Sequence, residues 1–464
     1  MARLCESLLS LAMAVALAIV MALLWRDALA IPLQVPLDPN EGWNAYHALA
    51  AIGGRALYPH APDLMANNYP PLSFYLVGAI GTLTGDAIVA GRLISLASFL
   101  VIAVALIALL RQWRAGWAAS LFASLAFAAN LLIASNYVAM NDPQLLGHAL
   151  QILGLLLVAR RDPMPIGGAL LMAAGLFVKH NLVALPLAAT LWLIGQDWKA
   201  WTRFVLTGLA AGLIGLGVIR IFGINLLAEI FSPRLLAFAN FQLAALQFLA
   251  WAALPILVSI WLLWRYPPDR WMRLAIPYAV IAIALGGFFA AGDGVDTNVF
   301  FDTTIALGLT GGLAVARFAP SGRLFAALAY LAPLAVLLVV DFHDRNFAFQ
   351  PAFRHQAASD IAFLKRHDGP AICEELALCY WAGKDASVDV FNMGEAFATG
   401  ARSDRPLIDN ISHCRFAAMQ FDSLAPFALG AKAHDALLAH YRIDHQNDDG
   451  IFLVRNGCAG RGSP

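Results

Sequence analysis

The stretch PIGGALLMAAGLFVKHNLVALPLAATLWLIG, residues 165–195, decides the fold. It is apolar and long enough to cross a membrane, yet Lys179, His180 and Asn181 interrupt it near the middle. Read as one span, it reverses the side of everything downstream. Read as a hairpin of two short helices, it does not. Each arm of such a hairpin has about 14 residues and covers about 21 Å at 1.5 Å per residue. That falls short of the roughly 30 Å hydrocarbon core of a bilayer. The tip, with Lys179, then sits below the outer surface, near the depth of lipid phosphates.

The bilayer frame follows from composition. Of 464 residues, 60% are hydrophobic and 13% charged, with mean hydropathy +0.70. A soluble chain carries about 25% charged residues, so a soluble enzyme, a disordered chain and a fibrous repeat are excluded. Basic and acidic residues balance at 30 each, which gives no sign of a nucleic-acid partner. Further apolar runs occupy 8–29, 87–110, 115–135, 143–159, 204–222, 245–264, 274–291, 302–316 and 324–341, and a shorter one occupies 70–85.

The positive-inside rule chooses among topologies. With 70–85 not spanning and 165–195 a hairpin, the cytoplasmic side holds Arg3, Arg111, Arg114, Arg160, Arg161, Lys199, Arg203, Arg265, Arg270, Arg273, Arg317 and Arg323. The outer side keeps Arg26, Arg55, Arg92, Lys179, Arg220 and Arg234. The fold class is therefore a polytopic α-helical membrane protein of about eleven spans, N-terminus in and C-terminus out. The long apolar run at the N-terminus, with no clear small-residue cleavage site after it, reads as a retained span rather than a signal peptide.

The transmembrane part runs over 1–341 and includes an outer loop at 31–86. Residues 342–464 carry 12 of the 30 basic residues and no spanning run. There, short strand-like runs (370–373, 387–391, 415–421, 450–456) alternate with helical stretches (356–367, 430–441), which predicts a small extracytoplasmic α/β domain. It holds Cys373, Cys379, Cys414 and Cys458. In an oxidising compartment four cysteines allow two disulfides in three pairings; we take Cys373–Cys379 with Cys414–Cys458, against a reading as reduced core residues. There is no CxxC spacing, P-loop or GxGxxG after a strand.

Chemistry concentrates in the first outer loop, LDPNEGWNAYHALAAIGGRALYPHAPDLMANNYPPLSFY, residues 37–75. Asp38 and Glu41 open a helix there. A helix dipole favours such acids, so capping explains one of them. It does not explain the Asn, Tyr, Trp and His around them. Asn44, His47, Tyr58, Asn68 and Tyr69 suit stacking and hydrogen bonding to a polar ligand, and are read as substrate-lining. Asp142, before Pro143 at the start of a span, falls on the same side and depth as Glu41. Converging carboxylates supply a general base or hold a divalent cation, so Glu41 and Asp142 are the candidate metal pair. Lys179 at the hairpin tip is the candidate partner for a lipid phosphate, with Arg92, Arg55 and Arg234 as weaker ones. Asp293, Asp296 and Asp302 add acids at 292–302.

Taken in order, the acidic motif after the first span, the YPPL-type motif, GD…GR before the second span, the DP pair, the hairpin lysine and the α/β tail resemble the GT-C superfamily of membrane glycosyltransferases. The nearest branch is the family-39-like group of protein O-mannosyltransferases and lipid A aminoarabinose transferases. The resemblance covers 8–341 and fits the tail more loosely. It implies transfer of a sugar from a polyprenyl-phosphate donor to a glycan, lipid or protein acceptor, on the outer face of a bacterial cytoplasmic membrane. It implies Glu41 as the catalytic acid with Asp38 in reserve, Asp142 as the second-loop acid, and Lys179 at the donor phosphate, where Arg92 is added from the charge reading above. A divalent cation (Mg, Mn or Zn) is the one cofactor in view. Where the aminoarabinose transferases carry an acid and a base before the proline matching Pro70, this chain has Asn68 and Tyr69. A transporter or flippase for a lipid-linked saccharide is the alternative. It calls for internal repeats and mid-depth ionisable groups, and the sequence has neither.

Overall fold

The computed structural model describes residues 1–223, 225–231, 233–236, 238–340 and 348–456. Among the described residues, fourteen α-helices build the apolar part. In chain order they are α1 (Ala2–Ala30), α2 (Asn40–Gly53), α3 (Leu72–Thr84), α4 (Ala87–Gln112), α5 (Trp117–Leu131), α6 (Gln144–Val158) and α7 (Pro165–Val178). Then follow α8 (Ala184–Ile194), α9 (Trp198–Phe222), α10 (Asn225–Ile230), α11 (Phe238–Arg265), α12 (Met272–Phe289), α13 (Phe301–Arg317) and α14 (Pro320–Val340). Every expected apolar run is a helix. Six helices among the described residues are long and apolar enough to cross a membrane.

The bundle is built around α13, buried from Phe301 through Val315. A hydroxyl triangle joins it to its neighbours: Ser259 of α11, Thr310 of α13 and Tyr330 of α14 lie 2.8–3.0 Å apart, O to O. Such pairings satisfy hydroxyls where no water is at hand.

The expected hairpin is α7 and α8, with Lys179–Asn181 at the turn. Glycines fix its position against α6. A Cβ on Gly154 would stand 2.8 Å from the Gly168 carbonyl oxygen, and one on Gly175 would stand 2.9 Å from that of Gly147. Only glycine lets the two backbones approach this closely. The close approach carries the tip of α7 to the start of α6, and so Lys179 to Asp142. The short run at 70–85 is α3, ended by Gly85 at φ 77° and packed on α2 and α4. Asp86 then caps α4, accepting from the Ile88 and Val89 amides.

The tail carries α15 (Pro351–Arg366), α16 (Leu376–Trp381), α17 (Val390–Ala398), α18 (Arg405–Ser412) and α19 (Ala431–His440). It also carries strands β1 (Ala371–Cys373), β2 (Ala418–Phe421), β3 (Tyr441–Asn447) and β4 (Gly450–Arg455). The sheet order is β1-β2-β4-β3, with β1 and β2 parallel and the other pairs antiparallel. The run at 387–391 is not a strand, because Asp389 accepts from the Asn392 amide and starts α17. Strand β3, with its alternating polar residues, had no counterpart in the sequence reading.

The tail is not free of the bundle. Ala45, Ala48, Val77, Ala87, Ile88 and Ala90 share one apolar core with Leu364, Ala377, Leu378 and Phe452. Cys373 and Cys379 form the expected disulfide. Cys414 is also disulfide-bonded; Cys458 lies outside the described residues, as does the boundary drawn at 341/342.

Candidate active site

The segment between α1 and α4 hangs on a buried ion pair. Arg92 of α4 donates from Nε to Glu41 Oε1 (2.7 Å) and from Nη2 to Oε2 (2.6 Å). Glu41 also accepts from the Asn141 amide (3.0 Å) and the Leu37 amide (3.0 Å). The other guanidinium protons go to the carbonyls of Ala30, Ile31, Leu33 and Val35. Both side chains are 0% exposed. An arginine has five N–H donors, and all of these are committed to protein. Arg92 is thus not at a donor phosphate, and Glu41 has no oxygen left for a metal or a substrate proton. The sequence marked both as outer charges; the fold uses each to neutralise the other.

Asn44 belongs to the same framework, donating to the Asn40 and Asn141 carbonyls. His47 donates from Nε2 to the Ala66 carbonyl at 3.0 Å. Burial lowers its pKa to about 3, so it stays neutral. Tyr58 donates to the Tyr69 carbonyl at 2.7 Å. These three candidates hold the loop's shape.

The remaining candidates converge. A cavity of about 290 Å³ lies where the loop, the hairpin tip, the segment around Arg234, the turn at 292–299 and the start of α17 meet. Lys179, Arg234, Asn68 and Tyr69 line it, and Phe288, Phe289, Ile230 and Leu236 form an apolar side. Lys179 Nζ is 3.8 Å from Asp142 Oδ1 and 4.7 Å from the centre of the Tyr69 ring. Tyr69 is packed edge-on by Trp43 at 5.1 Å. Asp142 is held in place by the Gln144 amide, 2.7 Å from Oδ1. Arg234 donates to the Asp293 carbonyl and lies over Phe391, 5.8 Å from its centre. Two cations therefore face one partly apolar chamber.

Two further acids stand near it. Asp296 lines the cavity and accepts from Tyr137 at 2.9 Å. Asp38 is half-buried, and its pKa is pushed up to about 7. Burial is the main cause, opposed by the hydrogen bond from the Asn40 amide and reinforced by the charges of Asp142, Glu41 and Asp296. A carboxylate poised near neutrality suits proton abstraction.

Among the described residues no group of three His, Cys, Asp or Glu is placed to hold a metal. The proposed pair does not fit one: Glu41 is saturated by Arg92, and Asp142 faces Lys179. Sequence reasoning also passed over Phe391 and Asn392 of the tail, which line the cavity. Phe391 ended the run read as a strand, and Asn392 followed it directly.

No protein-family model matches this chain, and no curated protein matches it. Solved structures do. ArnT from Cupriavidus metallidurans bound to undecaprenyl phosphate superposes with a TM-score of 0.64 at 14% identity, covering 98% of this chain and 99% of that one. The apo state of the same protein gives 0.62 at 12% identity, with the same coverage. At this identity the likeness is one of fold, and it spans bundle and tail together.

Proposed function

We propose that the chain is a GT-C-type glycosyltransferase that takes a sugar from a polyprenyl-phosphate donor. The observation that carries this is the cavity itself: Lys179, on a hairpin too short to clear the bilayer, and Arg234 face an apolar side of Phe288, Phe289, Ile230 and Leu236. A lipid phosphate needs that combination. The bound undecaprenyl phosphate of the fold neighbour supports the reading. About eleven spans, with the tail and cavity on the outer face of a bacterial inner membrane, complete it.

The chemistry follows from the residues. The donor's phosphate rests between Lys179 and Arg234. Asp142 holds the ammonium from behind, and the Tyr69 ring flanks it. Asp38 takes the proton from an acceptor hydroxyl. The acceptor oxygen bonds to the anomeric carbon as the bond from that carbon to the phosphate oxygen breaks, through an oxocarbenium-like state. The leaving polyprenyl phosphate gains a negative charge, which the two cations stabilise.

The test is radiolabel transfer in membranes from a series of polyprenyl-monophosphate sugars. The reading expects transfer from at least one donor and its loss in Asp38→Asn. Saturable binding of lipid-linked sugar without transfer from any donor would favour a transporter instead.

A further inference from the structure

The cavity continues. Asn68, Glu229, Arg234 and Asn392 line both the chamber described above and a second one of about 190 Å³ that runs toward the tail. The two differ in character. The first has an apolar side, and its cations Lys179 and Arg234 face Asp296 and a Glu229 whose charge is taken up by Arg402. The second is walled by Glu229, Arg234, Glu395 and Arg402, two acids and two arginines, with Asn68 and Asn392 between them.

These charges are fixed in place. Arg402 pairs with Glu229 and donates to the Pro59, Asp63 and Met65 carbonyls. Glu395 accepts from the Leu235 amide at 3.0 Å. Asn392 is oriented by Asp389, which accepts its side-chain amide at 2.8 Å and the Trp43 indole N–H at 2.9 Å. The charged part of the walls is therefore rigid and electroneutral, set between apolar patches of Ala66, Ala228, Pro233, Met393, Ala396 and Ala401.

That balance selects a ligand class. A phosphate calls for surplus cations, and a polyamine for surplus acids. An alkyl chain would strip water from charged groups and return no hydrogen bonds, which is costly. A neutral group rich in hydroxyls, each both donor and acceptor, matches such a wall. The volume lies below the roughly 300–1,000 Å³ of a drug-sized site, which leaves room for a single small ring.

We infer that the second chamber is an acceptor subsite and that it takes one neutral sugar ring, its reacting hydroxyl turned toward Lys179 and Arg234. The inference rests on the transfer reading above and adds the acceptor's class, a neutral glycan. It also gives the tail a role: α17 forms part of the subsite's wall.

The test uses the full-length protein in nanodiscs and saturation-transfer NMR. The probes are methyl glycosides of common hexoses and pentoses, with glycerol 1-phosphate and spermidine as charged comparators. Undecaprenyl phosphate binding is measured in parallel. Ala228→Trp and Ala401→Trp fill the chamber from exposed positions that touch only it. The expected result is saturable transfer from at least one methyl glycoside, weakened tenfold or more in both variants, with undecaprenyl phosphate binding unchanged. Absence of glycoside binding, saturation by a charged comparator alone, or glycoside binding indifferent to both variants would overturn it. Glycoside binding that both variants weaken, in a protein that does not bind undecaprenyl phosphate, would uphold the chamber and count against the donor reading.

Discussion

Arg92 grips Glu41 through two nitrogens, at 2.7 and 2.6 Å, with neither side chain exposed. This pair joins α4 to the loop that opens α2, and through the Asn141 amide to the start of α6. It sets the depth and tilt at which the loop meets the hairpin tip.

Breaking the pair should therefore unfold the site rather than merely silence it. Removing one partner of a buried ion pair typically costs about 3–5 kcal/mol. Glu41→Gln is expected to lower the thermal midpoint of the detergent-solubilised protein markedly, and Glu41→Leu combined with Arg92→Leu to recover part of the loss. A Glu41→Gln protein as stable as wild type but inactive would return Glu41 to the role of base.

Asp38 gives a pH dependence of defined sign. Its folded pKa of about 7 lies above the ordinary 3.8, so the folded state holds this proton more tightly than the unfolded chain. The associated stability is full below about pH 4 and is lost as pH rises through 7. Asp38→Asn should accordingly raise the melting temperature more at pH 8 than at pH 5. Transfer by the wild type should rise through pH 7 as the base ionises, and the variant should lose about 10²–10⁴-fold. Equal stabilisation at both pH values would contradict the assignment.

Tyr69 flanks the Lys179 ammonium with an aromatic face. A cation–π contact is worth about 0.5–2 kcal/mol, so Tyr69→Leu should weaken donor binding several-fold, read as KM, with kcat less affected. Tyr69→Phe keeps the face and should stay near wild type. Equal loss in both would assign the effect to the hydroxyl.

Docking of the tail depends on one glycine. A Cβ at Gly42 would overlap the Leu376 and Ala377 backbone, so Gly42→Val should separate α2 from α16. The measurement is limited proteolysis, with faster cleavage between bundle and tail expected. An unchanged digest would show that the contact is dispensable.

Much of this architecture is legible in the sequence because the bilayer imposes it. Each long apolar run is a helix, and Lys179 is read at a hairpin tip because three polar residues in apolar surroundings have few other places to be. The charges in the first loop are harder. Glu41 and Arg92 stand 51 residues apart, and a sequence does not reveal that two conspicuous charges cancel each other in the fold. Asp38 looks the weaker acid there because its significance lies in burial and in the neighbours Asp142 and Asp296. Asn392 and Phe391 were hidden for a local reason: Asp389 turns a β-branched run into the start of a helix. The cavity draws on six segments distant in sequence, and only their packing brings Arg234 to the same chamber as Lys179.

In the proposed function Lys179 and Arg234 together hold a polyprenyl phosphate. The direct measurement is binding of undecaprenyl phosphate to the purified full-length protein in nanodiscs, for wild type, Lys179→Met and Arg234→Met. Saturable binding is expected for wild type, weakened at least tenfold in Arg234→Met at a comparable melting temperature, and equally in Lys179→Met once Asp142→Asn is added to relieve the buried carboxylate that the lysine change strands. Binding that is absent in wild type, or that survives both substitutions, would contradict it.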